Sequence, residues 1–418
     1  MLSKYPIKQF AKVGAGQGAP QKETDFSLDG YPFIRAGHLE SLLDGKDEFD
    51  LPKINFEIAK RYRLKLFQPN TIVFAKSGMS AMKGRIYRLK NPCYVVNHLA
   101  TLELKENAFP AFVVYTLRSF SPVKLINDSS YPSLKQSTIE SYEIPFPKNI
   151  SVQIQIANIL SKAEILITQR KQSIALLDEF LRSTFLEMFG DPGFNKKKWN
   201  KLTLKDVSLR FSDGPFGSNL KTEHYSNSGI QVIRLQNIGV NRFVEKDVSY
   251  VSEPHFESVL KKYSCFPNDV VIATMGSPNV RACIVPKHVK VAINKADCVL
   301  FRVNPKLSNH YYISHLLNQE GFLSLATSFI HGQTRARISS GQLAKILIPI
   351  PPLELQTQFS QIVEKTELLK TYYQSSLQEL ENLHGSLSQR AFKGELNLNK
   401  AAEHVLMAAE SELQYNKL

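Results

Sequence analysis

Cysteine is scarce in this chain. There are four in 418 residues, Cys93, Cys265, Cys283 and Cys298, with no CxxC and no paired metal-ligand spacing. That excludes a disulfide scaffold and a zinc module, and predicts a reduced protein with buried thiols and no metal site. Long hydrophobic runs are also lacking. No stretch of about 18 apolar residues is found, so no membrane span is expected. The first residues carry no apolar core of the signal-peptide kind. The expected location is therefore the cytoplasm, with no membrane partner. Negative charge is the third shortage: 38 acidic residues stand against 52 basic ones, a net charge of +14.

The distribution of charge says more than its sum. Residues 1–150 hold 21 basic and 14 acidic residues, net +7, and residues 196–352 hold 21 and 10, net +11. Residues 151–195 are at −1 and residues 353–418 at −3. Two basic blocks on a near-neutral frame point to a polyanionic partner, nucleic acid ahead of membrane. A basic surface serving solubility alone is the plainer alternative.

The two basic blocks are also copies. Gly30-Tyr31-Pro32-Phe33-Ile34-Arg35 returns as Gly229-Ile230-Gln231-Val232-Ile233-Arg234. Asn70 to Gly78 returns as Asn268 to Gly276, and Ile144-Pro145-Phe146-Pro147 as Ile348-Pro349-Ile350-Pro351. An offset near 200 residues is too long for a solenoid repeat and implies two copies of one domain. Each copy alternates short β-branched and aromatic runs with Gly, Pro, Asn and Asp. This predicts a mainly antiparallel β structure with strands at 71–75, 85–89, 94–96 and 101–104, and again at 270–273, 282–285, 289–292 and 298–303. Helices are expected at 110–119 and from 310 to 317, running on toward 328.

Two other segments read as long helices. Leu160, Ile167, Ile174, Leu181 and Met188 fall seven apart, with Ala163, Arg170, Leu177 and Thr184 three further on. Ile362, Leu369, Ser376 and Leu383 alternate with Thr366, Tyr373, Leu380 and Leu387 in the same way. Sustained heptads mark a coiled-coil seam, and two matched ones are expected to pair antiparallel. Gly190-Asp191-Pro192-Gly193 stops the first. The expected fold is α+β: a β domain over 1–150, a helix over 151–195, a second β domain over 196–352, a helix over 353–396 and a helical tail over 397–418. The tail's apolar face suits either the bundle or a partner.

Three fragments invite an enzymatic reading: Gly14-Ala15-Gly16-Gln17-Gly18, Asn91-Pro92-Cys93-Tyr94 and Asp191-Pro192-Gly193-Phe194. A phosphate or cofactor loop needs a helix directly behind it, and residues 20–105 show hairpins instead. The other two read as a turn and a helix stop. No catalytic His/Asp/Ser group recurs, since His98 is answered by Lys295 and His38 by Asn237. No catalytic residue is expected. What recurs is loop chemistry suited to DNA: small residues beside basic ones. The candidates in the first copy are Arg35, Lys76, Ser77, Met79, Lys83, Arg85 and Lys135. In the second they are Arg234, Asn237, Thr274, Ser277, Arg281, Thr334, Arg335 and Arg337.

Two β domains, each followed by a proline-rich entry and a long helix, resemble the DNA-specificity (S) subunit of type I restriction–modification systems. The residues that carry the resemblance are Ile348-Pro349-Ile350-Pro351-Pro352-Leu353-Glu354-Leu355-Gln356 and Phe392-Lys393-Gly394-Glu395-Leu396. In the first copy they are Ile144-Pro145-Phe146-Pro147, Gln153 and Phe189-Gly190-Asp191-Pro192. Pro-Lys-Asn-Ile-Ser-Val at 147–152 departs from the Pro-Pro-Leu entry and bears on how that helix is capped. The resemblance implies two target-recognition domains reading the halves of a split, asymmetric double-stranded DNA target, and two helices acting as a ruler. It also implies a frame for two methyltransferase (M) subunits, with room for a motor–nuclease (R) subunit. No cofactor is expected here: S-adenosylmethionine and ATP with Mg would sit on the partners. A stand-alone DNA-binding or anti-restriction protein of the same fold, and a DNA adenine methyltransferase, are the alternatives.

Overall fold

A computed structural model describes residues 2–402 and 405, apart from 277, 331–336 and 399. The chain forms two units: Met1–Lys171 with Ser375–Leu418, and Gln172–Gln374.

In the first unit, a four-stranded antiparallel sheet runs in the order Ala11–Ala15, Leu99–Leu104, Ile72–Ala75, Ile86–Arg88. A three-stranded sheet lies in the order Lys53–Ile54, Tyr31–Ile34, Tyr94–Val95. Its last pair is parallel, Phe33 opposite Tyr94. The second unit repeats the larger sheet in the same order: Ser208–Asp213, Cys298–Val303, Val270–Ala273, Arg281–Ile284. Its smaller sheet has five strands and again one parallel pair, Gln231 opposite Ala292. The fold is thus mainly antiparallel, as expected, with a parallel strand pair in each copy that hairpin reasoning missed. The run expected as a strand at 289–292 is paired instead at Ala292–Asn294.

Each domain closes on itself before its helix begins. Lys4–Pro6 pairs with Glu143–Pro145, and Asn200–Thr203 with Leu347–Ile350. The Ile-Pro motifs therefore lie on two-stranded edges, where a proline costs no ladder hydrogen bond. The two expected helices inside the domains form at Pro110–Ser119 and His310–Leu317. The second does not run on to 328. It stops at Asn318, whose side chain is held by Asn241, Ala282 and Ser314, and a separate helix covers Glu320–Thr327.

The long helices span Ile150–Phe189 and Leu353–Lys393. None of the heptad positions is exposed. In the first unit Leu160, Ala163 and Leu166 join Leu380, Leu387, Ala391 and Phe392 in one core with the β domain's Phe112 and Val113. In the second, Leu181, Phe185 and Phe189 pack with Phe359, Val363 and Tyr312. Here Asp178 pairs with Lys370, and the Phe185 ring lies 5.5 Å from that of Phe359. Rising numbers on one helix meet falling numbers on the other, so they pair antiparallel. Asn149 caps the first helix through Ser151 N–H at 2.9 Å, which supplies what the departed Pro-Pro-Leu entry lacks. The tail's Ala401 and Val405 are buried in the first unit's core; residues 403–404 and 406–418 lie outside the described residues.

The Ile150–Phe189 helix is long and apolar enough over part of its length to cross a membrane. Its apolar face is instead shared between the two cores just named, which is the behaviour of a bundle helix. All four cysteines are free and buried. Burial pushes their thiols well up, that of Cys298 to about 12. Among the described residues no group of three potential metal ligands is found.

Candidate nucleic-acid interface

The two candidate loops of each copy are brought together by main-chain hydrogen bonds. In the first domain Ser77 bridges Ser133. Gly78 N–H donates to Pro132 O at 2.9 Å and Leu134 N–H to Lys76 O at 2.7 Å. Lys76 N–H donates to His98 O at 2.9 Å, which adds the 97–98 turn. The second domain repeats this: Met275 bridges Arg337, Ile338 N–H donates to Thr274 O at 3.1 Å, and Thr274 N–H to Asp297 O at 3.2 Å. Segments 56 and 62 residues apart in sequence thus share one surface, joined through main-chain hydrogen bonds.

This corrects one sequence correspondence. The sheet registers, Ile72 opposite Leu102 and Val270 opposite Phe301, make Asp297 the counterpart of His98. Lys295 answers Val96 instead: their N–H groups donate to the equivalent carbonyls of Ile233 and Ile34. The match of His38 with Asn237 holds. Arg35 N–H donates to His38 Nδ1 at 3.3 Å, and Arg234 N–H to Asn237 Oδ1 at 3.0 Å. Burial, with help from Arg35 and Lys46, pushes the His38 pKa down, so the neutral ring keeps a lone pair for that bond.

Side chains divide sharply between surface and scaffold. In the first domain Arg35, Met79, Lys83 and Lys135 are exposed, and Lys76 and Ser77 are half-buried. Arg35 lies over the Phe26 ring, 5.2 Å from its centroid. Arg35, Ser77 and Gly78 border an open groove of about 660 Å³ together with Gln21, Asn97 and His98. Ser77 Oγ and His98 Nδ1 are 2.8 Å apart. Gln21, Asn97 and His98 were missed as candidates; a register offset of 199 rather than 197 would have drawn attention to the 97–98 turn. Lys83 and Arg85 border a different groove, with Arg118, Glu164 and Glu381. Arg85 is ion-paired with Glu40 and mostly covered.

In the second domain several candidates turn out to be scaffold. Asn237 is fully buried; its amide caps Arg234 and donates to Val244 O and Lys246 O at 2.9 and 3.1 Å. Thr274 is buried, its hydroxyl donating to Asp297 O at 2.9 Å. Arg281 spends its guanidinium on four main-chain carbonyls. Arg234 is half-buried and donates to Asp247 O. Arg337 is exposed at the bridge. Ser277, Thr334 and Arg335 lie outside the described residues.

The glycine-rich fragment is also scaffold. A Cβ on Gly16 would sit 1.9 Å from Val95 O, and one on Gly214 1.9 Å from Asn294 O. The glycines let two backbones touch at the equivalent point of each copy.

The fold, the duplicated surface and the basic domains define a DNA-recognition protein built on two related modules. The sequence matches the type I restriction modification DNA specificity domain twice, over residues 3–177 and 196–382, and the chain belongs to that family. It is 22% identical to the MjaVIII specificity subunit of Methanocaldococcus jannaschii over 422 residues, covering 94% of this chain and 93% of that protein. It is 30% identical to the MjaIX specificity subunit of the same organism, over 169 residues that span 40% of this chain and 38% of that one. Among solved structures, the S subunit of M. genitalium covers 94% of this chain and 96% of its own, with a TM-score of 0.53 at 17% identity. A chain from a study of type I R-M complex assembly and conformational transition gives a TM-score of 0.58, also at 17% identity, covering 94% and 98%. The protein is the DNA-specificity subunit of a type I restriction–modification system, a recognition component that assembles with the other subunits and with DNA.

Proposed function

We propose that each β domain reads one half of an asymmetric bipartite target through its bridged loop pair. The first domain uses Arg35, Lys76, Ser77, Met79 and Lys135 with Gln21, Asn97 and His98. The second uses Arg337 with Ser277, Thr334, Arg335 and Asp297. The observation that carries this reading is the recurrence of one backbone arrangement, Ser77 with Ser133 and Met275 with Arg337, in two domains of strong positive charge. Lys83 and Arg85 border another groove and fit a supporting role.

The partners in this reading are double-stranded DNA and two methyltransferase subunits, with room for a restriction subunit. The chain holds no cofactor of its own; S-adenosylmethionine, ATP and Mg belong to the partners, and the complex works in the cytoplasm. The long helices set the half-site separation. Replacing residues 1–150 with the equivalent domain of a relative should change one half of the methylated motif and leave the other intact. A swap that alters both halves, as read by genome-wide methylation mapping, would defeat the reading. An insertion of about four residues in the 165–180 stretch adds roughly 6 Å of helix. It should lengthen the spacer by one or two base pairs, at about 3.4 Å each.

A further inference from the structure

Arg85 and Arg281 occupy one position in the two copies. Ala273 pairs with Arg281 at the start of its strand, and Phe74 pairs with Ile86, which sets Arg85 opposite Ala75. Neither arginine points its charge freely at solvent. Arg281 Nε donates to Ile238 O at 2.6 Å and Nη2 to Leu235 O at 2.8 Å. Its Nη1 donates to Met275 O and Pro278 O at 3.0 and 3.2 Å. Four of its five N–H donors are thus used on two loops. One is the turn after Arg234; the other is the loop that carries the Met275–Arg337 bridge. Gly276 has φ +113°, and a Cβ there would come within 2.8 Å of Arg281 Nη1, so that loop is folded around the guanidinium.

The first copy solves the same problem differently. After the equivalent turn the chain continues as the helix Leu39–Leu43, and that helix presents Glu40. Arg85 pairs with the Glu40 carboxylate. In both copies, then, the arginine at this strand start ties the turn after Arg35 or Arg234 to the sheet.

We infer that Arg85 and Arg281 are positioning residues for DNA recognition: they clamp the recognition loops of their own domain and do not contact DNA. This rests on the proposal that each domain reads one half-site. A phosphate contact needs only positive charge, so lysine would replace it. A four-carbonyl clamp needs the planar fork, and lysine cannot rebuild it.

The test uses the full chain with its methyltransferase subunits. Arg281→Lys and Arg281→Ala should both lower methylation at the native motif at least tenfold. Selectivity should relax across the whole half-site read by the second domain and stay intact in the other. The salt dependence of binding to mixed-sequence duplex DNA should not change. Glu40→Gln removes a negative charge, which by itself strengthens DNA binding, yet it should relax the first half-site as Arg85→Ala does. The double variant should be no worse than either single one. The inference is overturned if Arg281→Lys restores full activity, if the salt slope falls by about one, if a single base position relaxes alone, or if Glu40→Gln leaves the first half-site unaltered. Glu40→Gln and Arg281→Lys keep the test decisive should Arg281→Ala not fold. Failure of the half-site proposal would look different: the wild-type motif itself would not follow the domain swap.

Discussion

The two recognition domains share a backbone and differ in what hangs from it. At the position where the first domain has Lys76, the second has buried Thr274; where the first has exposed His98, the second has Asp297. On the side facing the helices, Tyr115 donates its hydroxyl to Glu164 at 2.8 Å, while the equivalent His315 lies in a buried amide network with Asn241 and Asn318. Yet the bonds that assemble the surface, from Lys76 N–H and Leu134 N–H or from Thr274 N–H and Ile338 N–H, are the same and involve no side chain. A surface whose segments are joined by main-chain bonds lets its outward-facing side chains vary, so long as the arginine behind the loops is kept. That is what a protein needs if it reads two different half-sites with one scaffold.

The strongest way to break the comparison is to strike the shared scaffold in one copy only. Gly16→Ala and Gly214→Ala each place a methyl within 1.9 Å of a backbone carbonyl, so strands must separate. Each should cost more than about 3 kcal/mol in its own domain. Denaturation followed by hydrogen exchange should show the loss confined to the unit that carries the substitution. Equal loss in both units would mean that they do not fold as separate bodies.

Next come the helix entries. Gln153 is fully buried; it accepts from Phe109 N–H at 2.8 Å and donates to Asn107 O and Pro147 O. Gln356 accepts from Asn309 N–H and from the Ser308 hydroxyl and donates to Pro351 O. Alanine at either position strands buried polar groups at about 1–3 kcal/mol each. The two variants should lower the melting midpoints of their own units by similar amounts. A silent Gln153→Ala beside a costly Gln356→Ala would show that the entries are not equivalent.

Acid should separate the units more gently. Burial, aided by Lys370, lowers the His315 pKa from 6.5 to about 3. Between those values the unfolded chain binds a proton that the folded chain refuses. His315 therefore favours folding fully above pH 6.5 and loses that contribution as pH falls toward 3, at up to about 1.4 kcal/mol per pH unit. Its counterpart Tyr115 is neutral throughout this range in any case, and burial and Glu164 only push its pKa further up from 10. The first unit's lowered histidines, His38 and His384, are only partly buried. Urea titrations across pH 4–7 should show the second unit weakening first, and His315→Gln should flatten that dependence. Parallel acid loss in both units would count against it.

The repeat, the antiparallel heptads and the helix at 110–119 were legible in the sequence because they rest on periodicity and on proline and glycine, which act locally. The site was only half legible. A basic or hydroxylic residue in a turn reads the same whether it faces solvent or the turn itself. Thr274, Asn237 and Arg281 look like readers and prove to be fasteners, since they hold main-chain carbonyls, some nearby and some, such as Leu235 O and Ile238 O for Arg281, from another segment. His98 and Asp297 escaped notice for the opposite reason: their turn carries no glycine, and a register slip of two residues paired His98 with Lys295.

That overlooked pair gives the mildest and sharpest test of the comparison. Asp297 is an acceptor-only side chain on a basic DNA-facing domain, and it suits the exocyclic amino group of cytosine or adenine. His98 both donates and accepts, and it lies beside Ser77. Asp297→Asn removes a negative charge, so general affinity for duplex DNA should rise a few-fold and the salt dependence should steepen slightly. If Asp297 reads a base, discrimination at one position of the second half-site should fall by about 1–3 kcal/mol, while the first half-site stays fixed. His98→Asn should do the same to the first half-site alone. Methylation mapping of both variants decides: stronger binding with an unaltered motif would leave Asp297 a bystander, and the reading surface of the second domain would have to rest on the 275–278 and 333–337 segments alone.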